Sequence, residues 1–416
     1  MSKIEFPGML ERFFSYVAID TQSSEESTSF PSTKKQLDLL KQLKLELDQL
    51  GLMDVTIDEW GYVLGTLKTN RPATSKPIPT IALIAHADTS PDVSGANVKP
   101  QVHKNYDGND IVLSAESGVV IRVAENPYIK EKKGYTLITS DGNTLLGADN
   151  KAGITEIMCA IKYLQENPSV PRPNIRVLFT PDEEVGRGTE HITVDAIKAD
   201  YGYTIDGEKL GEIEDETFCA DTVVITVTGV NVHPGYAKDK LVNAIKIAAD
   251  IVDRFPKHRL SPETTEKREG YIHPHHFSGG SEEVVIKILI RDFEEKGLQE
   301  KEDFIKSIIE TVAINYPKAK IDFTVLESYR NMKLVLDKYP EVTDKAVKAV
   351  EMSGVKPEKN IIRGGTDGAR LSFMGLPTPN IFTGGSNFHS RQEWVTLEDM
   401  QKASEVIVNL MTLWAE

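Results

Sequence analysis

The feature that most constrains the fold is a series of short apolar runs, each followed by acidic or histidine side chains. The run at residues 175–179 alternates and contains β-branched residues, which predicts a buried strand. The run at 80–85 is apolar without interruption, as in a parallel strand that helices cover on both faces. Helical spacing at 154–164 and a third apolar run at 201–205 complete the pattern of an open α/β sheet. In such a sheet the functional side chains lie at the carboxyl ends of the strands.

An acidic turn follows the run at 175–179 and carries Asp182, Glu183 and Glu184. Because successive side chains of an extended backbone point in opposite directions, the two glutamates are expected to do different work. One could bind a metal ion while its neighbour moves a proton. A solvated acidic turn is the alternative, and it is disfavoured because further candidate residues follow the other predicted strands or begin a predicted helix. These residues are His86, Asp88, Asp149, Asp206 and His389.

A catalytic site for two metal ions needs nitrogen and oxygen ligands, one bridging group and an open position for water. Two imidazoles and three carboxylates could supply these ligands: His86, Asp149, Glu184, Asp206 and His389. Three negative ligands and a hydroxide balance two divalent cations, so such a site could be buried. Asp88 would fix the tautomer of His86. Glu183 would then take a proton from water and deliver it to a leaving amine.

The remaining histidines offer competing interpretations. The cluster of His273, His275 and His276 could bind metal, but it lacks nearby carboxylates, so a solvated loop is favoured. His233 follows a predicted strand, where its imidazole could donate to a tetrahedral oxyanion. A surface turn is an equally good interpretation of that position.

The length of 416 residues exceeds one ordinary core and predicts two or three domains. We expect a first domain in two parts, residues 1–212 and 331–416, with a second domain inserted at 213–330. The inserted stretch has the order β-α-β-β-α-β, which predicts a ferredoxin-like sandwich. Within the first domain, turn signals in residues 95–140 predict a hairpin excursion.

Composition and charge restrict the partners and the compartment. The formal net charge of −15, without a dominant cluster of Lys and Arg, argues against nucleic-acid binding. No stretch approaches the roughly 20 apolar residues that span a bilayer, and the start shows no export signal. We therefore expect a cytoplasmic protein with no membrane partner. Cys159 and Cys219 lack metal-site spacing and are predicted to be core thiols.

Seven motifs occur in the order of a known family and span nearly the whole chain. They are HADTSPD at 86–92, TLLGADNKAG at 144–153, FTPDEEVG at 179–186, VNVHPG at 230–235, IRDF at 290–293, IRGGTDGA at 362–369 and FTGG at 382–385. This set resembles the metallopeptidases of the M20 group and, within that group, the tripeptide aminopeptidases.

The resemblance implies a metallo-aminopeptidase with two Zn²⁺ ions, or Co²⁺ or Mn²⁺, that releases the N-terminal residue of tripeptides. It implies a zinc-exopeptidase-like catalytic α/β domain with an inserted lid, acting on short peptides as a monomer or homodimer. The implied metal ligands are His86, Asp149, Glu184, Asp206 and His389, with Asp149 as the bridge. Glu183 corresponds to the general base and Asp88 to the orienting carboxylate.

Three further residues match positions that contact the substrate in that family. His233 corresponds to a lid histidine that contacts the substrate carbonyl, and Arg291 and Arg363 lie in motifs that hold the peptide, where a guanidinium suits a carboxylate. Pairing of Arg291 with Asp292 or a lid carboxylate is the alternative.

Two other functions are compatible with the same ligands. A different M20 hydrolase, such as a dipeptidase, a carboxypeptidase or an N-acyl amino-acid deacylase, would share the metals. A metal-dependent peptide-binding protein without catalysis is disfavoured by the intact acid at Glu183.

Overall fold

The computed structural model describes residues 4–72 and 77–416. The chain divides into two compact units, each of which is described by itself. Unit 1 comprises Met1–Asp215, Val335–Asn360 and Thr366–Glu416. Unit 2 comprises Glu216–Leu334 and Ile361–Gly365.

The helices and strands of the described residues are numbered in chain order. The helices are α1 (Met9–Val17), α2 (Gln36–Gln49), α3 (Ala148–Glu166), α4 (Val194–Ile197), α5 (Ala244–Asp253), α6 (Glu295–Asn315), α7 (Lys333–Leu336), α8 (Pro340–Met352), α9 (Asp367–Met374) and α10 (Leu397–Trp414). The strands are β1 (Met53–Ile57), β2 (Val63–Leu67), β3 (Ile81–His86), β4 (Gln101–His103), β5 (Ile111–Ser114), β6 (Val119–Ile121), β7 (Leu137–Thr139), β8 (Ile175–Thr180), β9 (Tyr201–Gly207), β10 (Glu212–Thr217), β11 (Cys219–Thr228), β12 (Tyr271–Gly279), β13 (Glu283–Asp292), β14 (Lys320–Tyr329), β15 (Glu358–Ile362), β16 (Asn380–Phe382) and β17 (Trp394–Thr396). Short 3₁₀ helices occur at Pro127–Lys132, Pro234–Tyr236 and Pro262–Thr264.

Unit 1 is built around a sheet with the strand order β1-β2-β8-β3-β9-β16-β10-β15. The central strands β8, β3, β9 and β16 are parallel, whereas β2 and β10 flank them in antiparallel fashion. Every residue of β3 and β8 is buried, as the predominantly apolar sequences of the two strands predict. The carboxyl ends of the parallel strands therefore meet at one edge of the sheet.

Alternate side chains of β3 enter two different hydrophobic cores. Leu83 and Ala85 belong to a core that one face of the sheet forms with α1, α2, α3, α8 and α10. Ala82 and Ile84 belong to a second core that includes residues of α4 and α9 on the other face. Because helices cover both faces, the predicted α/β class is confirmed.

A glycine allows the start of α3 to approach β9. A Cβ at Gly153 would lie 2.0 Å from the carbonyl oxygen of Ile205 and 2.3 Å from the side chain of Asn150. Only a residue without a side chain fits there. The close approach brings Asp149, near the start of α3, to the edge of the sheet where Asp206 lies on β9.

The stretch 95–140 contains the predicted hairpin, formed by β5 and β6. Its turn lies at residues 115–118, whereas the turn signals at 107–108 and 133–134 lie outside it. The same stretch contributes β4 and β7 to a three-stranded sheet with the order β17-β7-β4. This second sheet ties the stretch to β17, close in sequence to His389.

Unit 2 contains a four-stranded antiparallel sheet with the order β12-β13-β11-β14. The chain order β11, α5, β12, β13, α6, β14 is that of a split β-α-β sandwich. Along β11, Val223, Ile225 and Val227 are buried in a core shared with α5 and α6. The alternating residues Thr222 and Thr226 are partly exposed on the opposite face.

Unit 2 includes Ile361–Gly365, which the predicted insertion at 213–330 leaves out. The N–H of Phe218 donates to the carbonyl of Ile362 at 3.2 Å. The guanidinium of Arg363 lies 5.2 Å from the centre of the Phe218 ring. The segment groups with unit 2 because of such contacts between residues that are far apart in sequence.

The histidine cluster lies on β12, which is an edge strand of this sheet. The predicted loop at His273, His275 and His276 is wrong because residues 271–279 pair with β13, with a bulge between Pro274 and His276. Neither of the candidate metal groups found among the described residues includes these histidines.

Cys159 and Cys219 are buried and free, as predicted. In the part of the chain that the structure describes, no helix combines the length and the apolar character required to cross a membrane.

Candidate metal centre

The predicted metal ligands meet at the carboxyl edge of the unit 1 sheet. His86 is the last residue of β3, and Asp206 lies near the end of β9. Glu184 follows β8 in the acidic turn. Asp149 lies near the start of α3, and His389 lies in the loop between β16 and β17.

Asp149 lies between the two imidazoles. Its Oδ1 is 2.9 Å from Nε2 of His86, and its Oδ2 is 3.2 Å from Nε2 of His389. Asp206 Oδ1 lies 3.4 Å from the same nitrogen of His86, and Glu184 Oε2 lies 2.8 Å from that of His389. The cluster therefore has a strand-borne half (His86 and Asp206) and a loop-borne half (His389 and Glu184), joined by Asp149.

The adjacent glutamates of the acidic turn both lie near His86 but have different second neighbours. His86, Asp149 and Glu184 each offer a ligand atom, and these atoms all lie within 4.8 Å of one another. Ligand atoms of His86, Asp206 and Glu183 likewise lie within 4.8 Å of one another. The carboxylate of Glu183 is thus close to His86 and Asp206, while that of Glu184 lies near His86 and contacts His389.

The cluster has the chemistry of a cation site. Oε1 of Glu184 is buried, and among the described residues it has no hydrogen-bond partner. A buried carboxylate oxygen without a partner is costly unless a cation or a proton compensates its charge. Imidazole nitrogens and carboxylate oxygens are ligands that Zn²⁺ accepts, so the residues fit a metal ion.

In the protein without cations, protons compensate this charge. Burial raises the pKa of the Glu184 carboxyl to about 8, and the nearby carboxylate of Asp149 contributes to the increase. Burial lowers the pKa of His389, but its contacts with Asp149 and Glu184 outweigh burial and raise the pKa to about 11. A cation must therefore displace protons when it binds.

Asp88 is buried and contacts both His86 and the acidic turn. Its two carboxylate oxygens accept the N–H groups of Glu183 at 3.0 Å and Glu184 at 3.1 Å. Nδ1 of His86 lies 3.0 Å from the carbonyl oxygen of Asp88 and 3.3 Å from Oδ1 of its carboxylate. Since a carbonyl oxygen only accepts, Nδ1 carries the proton, and Nε2 faces the cluster.

Asp182 holds the acidic turn from the other side, a role that sequence reasoning missed. Its carboxylate accepts the N–H and the hydroxyl of Ser32, each at 2.5 Å, and the amide of Gln36 at 2.6 Å. Its backbone has a φ of 57°, a left-handed conformation that Asp tolerates better than most residues. The Ser/Thr-rich loop before α2 thereby helps to place Glu183 and Glu184.

Two more buried acids near the cluster were not predicted. Asp367 accepts the hydroxyl of Thr180 at 2.8 Å, and burial raises its pKa to about 7. Glu393 accepts three backbone N–H groups of the segment that leads to Asp149. Asp367 lies in the motif at 362–369 and so had a sequence signal, whereas nothing in the local sequence marks Glu393.

The three predicted substrate contacts belong to unit 2. His233 is exposed, and its Nδ1 accepts the N–H of Gly235 at 3.1 Å. Arg291 donates to the carbonyl oxygens of Ile290 at 2.9 Å and Asp221 at 3.3 Å. Asp292, one of the alternative partners of Arg291, forms an ion pair with Lys301.

Arg363 is engaged with a neighbouring loop of unit 2. One terminal nitrogen of its guanidinium donates to the carbonyls of Lys267 at 2.7 Å and Glu269 at 2.9 Å. The other donates to the hydroxyl of Thr265 at 2.9 Å. These bonds fix the loop at residues 265–269, and this structural role of Arg363 does not depend on a contact with substrate.

The family model described as Peptidase family M20/M25/M40 matches residues 130–413, which is more than half of the chain. The chain belongs to this peptidase family. The resemblance found in the sequence motifs is thereby confirmed, and with it the prediction of a peptidase of the M20 group.

Relatives of this M20 member match it from end to end. A protein named Peptidase T from Caldanaerobacter subterraneus subsp. tengcongensis is 46% identical over 416 residues, covering 100% of both chains. Among solved structures, a tripeptidase from Staphylococcus aureus is similar with a TM-score of 0.77 and 23% identity, covering 100% of both chains. A Bacillus subtilis protein described as a dinuclear metal binding peptidase from the M20 family has a TM-score of 0.62 and 12% identity, covering 97% of both chains. The two structural neighbours support the same fold.

Proposed function

We propose that this M20 family member is a metal-dependent aminopeptidase that releases the N-terminal residue of tripeptides. The observation that carries the proposal is the position of Asp149, whose two oxygens contact the imidazoles of His86 and His389. The relative named Peptidase T and the structural neighbour named a tripeptidase support the substrate class. Unit 1 would be the catalytic domain and unit 2 the lid.

The proposed cofactor is a pair of divalent cations, with Zn²⁺ favoured by the ligand types and Co²⁺ or Mn²⁺ as alternatives. The residues that would hold them are His86, Asp149, Glu184, Asp206 and His389. When bound, the cations would polarise the scissile carbonyl and lower the pKa of water. Asp149 would serve both cations, because each of its oxygens is directed to a different half of the cluster.

Glu183 is the proposed general base. Burial raises its pKa well above the usual range, opposed by the charge of His86 and reinforced by the carboxylates of Asp206 and Asp367. In the metal-free protein this carboxyl therefore holds a proton, and the charge of bound cations would favour the carboxylate form, which can take a proton from water. The resulting acid can return the proton to the leaving amine. Asp88 would keep this group in place, since it accepts the N–H of Glu183.

His233 is the proposed donor to the oxyanion that forms at the scissile carbonyl. Because its Nδ1 accepts the N–H of Gly235, the proton of the neutral ring lies on Nε2. An exposed imidazole with Nε2–H is a suitable donor to a developing negative charge.

Arg291 and Arg363 are the proposed contacts for the peptide carboxylate. In the described part of the chain, the hydrogen bonds of Arg291 use one terminal nitrogen, whereas those of Arg363 use both. Arg291 therefore keeps more donors for a bidentate contact and is the stronger candidate.

A panel of peptides tests the proposal. Free, N-acetylated and C-amidated di-, tri- and tetrapeptides would be offered to the protein with Zn²⁺, Co²⁺ or Mn²⁺ supplied and again with a chelator. We expect release of the first residue from free tripeptides, loss of turnover with the chelator and no cleavage of N-acetylated peptides.

Other outcomes would favour the alternatives. Preferred cleavage of dipeptides, of the C-terminal bond or of the acetyl group would assign the protein to another M20 activity. Stoichiometric binding of cations with no hydrolysis of any peptide would indicate a peptide-binding protein without catalysis.

A further inference from the structure

Glu393 joins the segment that carries Asp149 to the loop that carries His389. Its Oε2 accepts the N–H of Leu146 at 2.7 Å and that of Gly147 at 2.8 Å. Its Oε1 accepts the N–H of Asp149 at 2.9 Å. The side chain is nearly inaccessible, since Glu393 is 1% exposed.

The three amides need a partner of this kind. Gly147 has a left-handed φ of 83°, and Asp149 has the non-helical angles φ −81° and ψ 104°, so the backbone here is not regular helix. The first N–H groups of a helix have no partner within the helix, and leaving them buried and unbonded is costly. A carboxylate only accepts hydrogen bonds and has room for three donors. Its negative charge also suits the N-terminus of α3.

Glu393 is itself held by the loop of His389. The N–H of Ser386 donates to the carbonyl of Trp394 at 2.9 Å, and the N–H of Trp394 donates back at 3.1 Å. These two bonds close the loop that contains both His389 and Glu393. The following strand β17 pairs with β7, which fixes the base of the loop.

We propose that Glu393 is a positioning residue of the metal centre, which sets the backbone of Asp149 at a fixed distance from the loop of His389. The inference rests on the proposed function, because it assumes that Asp149 and His389 bind cations. The new element is the connection made by Glu393. Its buried carboxylate keeps two ligands aligned, Asp149 and His389, which are 240 residues apart in the chain.

The chain offers a matched control in Glu398. Its Oε2 accepts the N–H of Thr136 at 2.8 Å, so it also joins two distant segments of unit 1 through a carboxylate. Neither Glu398 nor Thr136 adjoins a proposed ligand in sequence. E398Q therefore changes the same kind of bond without touching the segment of Asp149.

The experiment compares the wild type with E393Q and E398Q. Zn²⁺ affinity would be measured by competition with a chromophoric chelator, and hydrogen exchange of residues 144–150 would be measured in the metal-free protein. We expect E393Q to bind Zn²⁺ about 10–100-fold more weakly, the usual scale for a residue that orients a ligand. Its exchange at 144–150 should be faster, and its kcat should fall with little change in KM. E398Q should match the wild type in all three measurements.

Three results would overturn the proposal. They are wild-type Zn²⁺ affinity in E393Q, an equal loss in E393Q and E398Q, and unchanged hydrogen exchange at 144–150 in E393Q. If the wild type binds no metal, the proposed function fails, but the exchange measurement still tests the connection made by Glu393. If E393Q does not fold, E393D replaces it: its shorter side chain should reach fewer amides and weaken Zn²⁺ binding, and wild-type affinity there would refute the role.

Discussion

The two halves of the metal cluster are constructed differently. In the strand-borne half, His86 and Asp206 lie on adjacent parallel strands, and the side chain of His86 is 3% exposed. In the loop-borne half, the side chain of His389 is 41% exposed, and its backbone has a left-handed φ of 58°. Ordering a loop costs more conformational entropy than using side chains that a sheet already holds. We therefore expect the two cations to bind with unequal affinity, the strand-borne one more tightly.

The largest expected effect tests which half Glu183 serves. Glu183 lies near His86 and Asp206, but we expect it to act as a general base and not as a metal ligand. E183Q should therefore lower kcat by about 10²–10⁴-fold, the usual contribution of a general base. Both cations should remain, as metal analysis of the purified variant would show. Loss of the strand-borne cation in E183Q would instead make Glu183 a ligand. E184Q is the comparison, and it should lose the loop-borne cation.

A change outside both halves should separate substrate chemistry from metal binding. For H233A we expect kcat to fall by about 10²–10³-fold, the scale of one oxyanion donor, with metal content unchanged. Steady-state kinetics and metal analysis of the same preparation would check this. Near-normal turnover would return His233 to the surface-turn interpretation.

Stepwise removal of metal tests whether the two cations bind with unequal affinity. Ordering the side chain and backbone of one loop residue costs about 1–3 kcal/mol, so the two dissociation constants should differ by about 5- to 150-fold. Chelator titration of the wild type should show two steps. H389A should shift only the weaker step, whereas H86A should shift the tighter one. A single step in the wild type would contradict the comparison.

The pH dependence of the weaker step tests the loop-borne half alone. Glu184, with a pKa of about 8, and His389, with a pKa of about 11, both hold protons at neutral pH in the metal-free protein. A cation must displace these protons, so the affinity of the loop-borne half should fall by at least about tenfold for each unit of pH below 8. Titrations at pH 6, 7 and 8 would measure it, and a pH-independent affinity would refute this protonation.

The sequence was most informative where a strand and the site residues next to it could be predicted from the same short segment. Residues 81–86 and 175–180 are buried on both faces, and the apolar run at 80–85 and the β-branched, alternating run at 175–179 predict both strands and the edge where His86 and Glu184 meet. The family resemblance depended on the same local motifs. The central sheet and its candidate ligands could therefore be predicted.

Contacts between distant segments that no motif marks could not be predicted. β10 has the charged sequence Glu-Ile-Glu-Asp-Glu-Thr, which is unlike a buried strand. Its glutamates are nevertheless buried, and Glu212 and Glu214 accept the side-chain amides of Asn360 and Asn380. Glu393 was missed for the same reason, because its three partners lie more than 240 residues away. Local periodicity carries no information about partners that only the fold brings together.

The passage of the chain into unit 2 for a second time, at Ile361–Gly365, restricts how family members can be recombined. A Cβ at Gly365 would lie 2.6 Å from the Tyr329 ring, so this short return segment is fitted to the unit that it joins. In a chimera that exchanges 216–334 alone, the segment 361–365 of one parent would have to pack against the unit 2 surface of the other parent. Exchange of both segments together is the cut that keeps each unit whole.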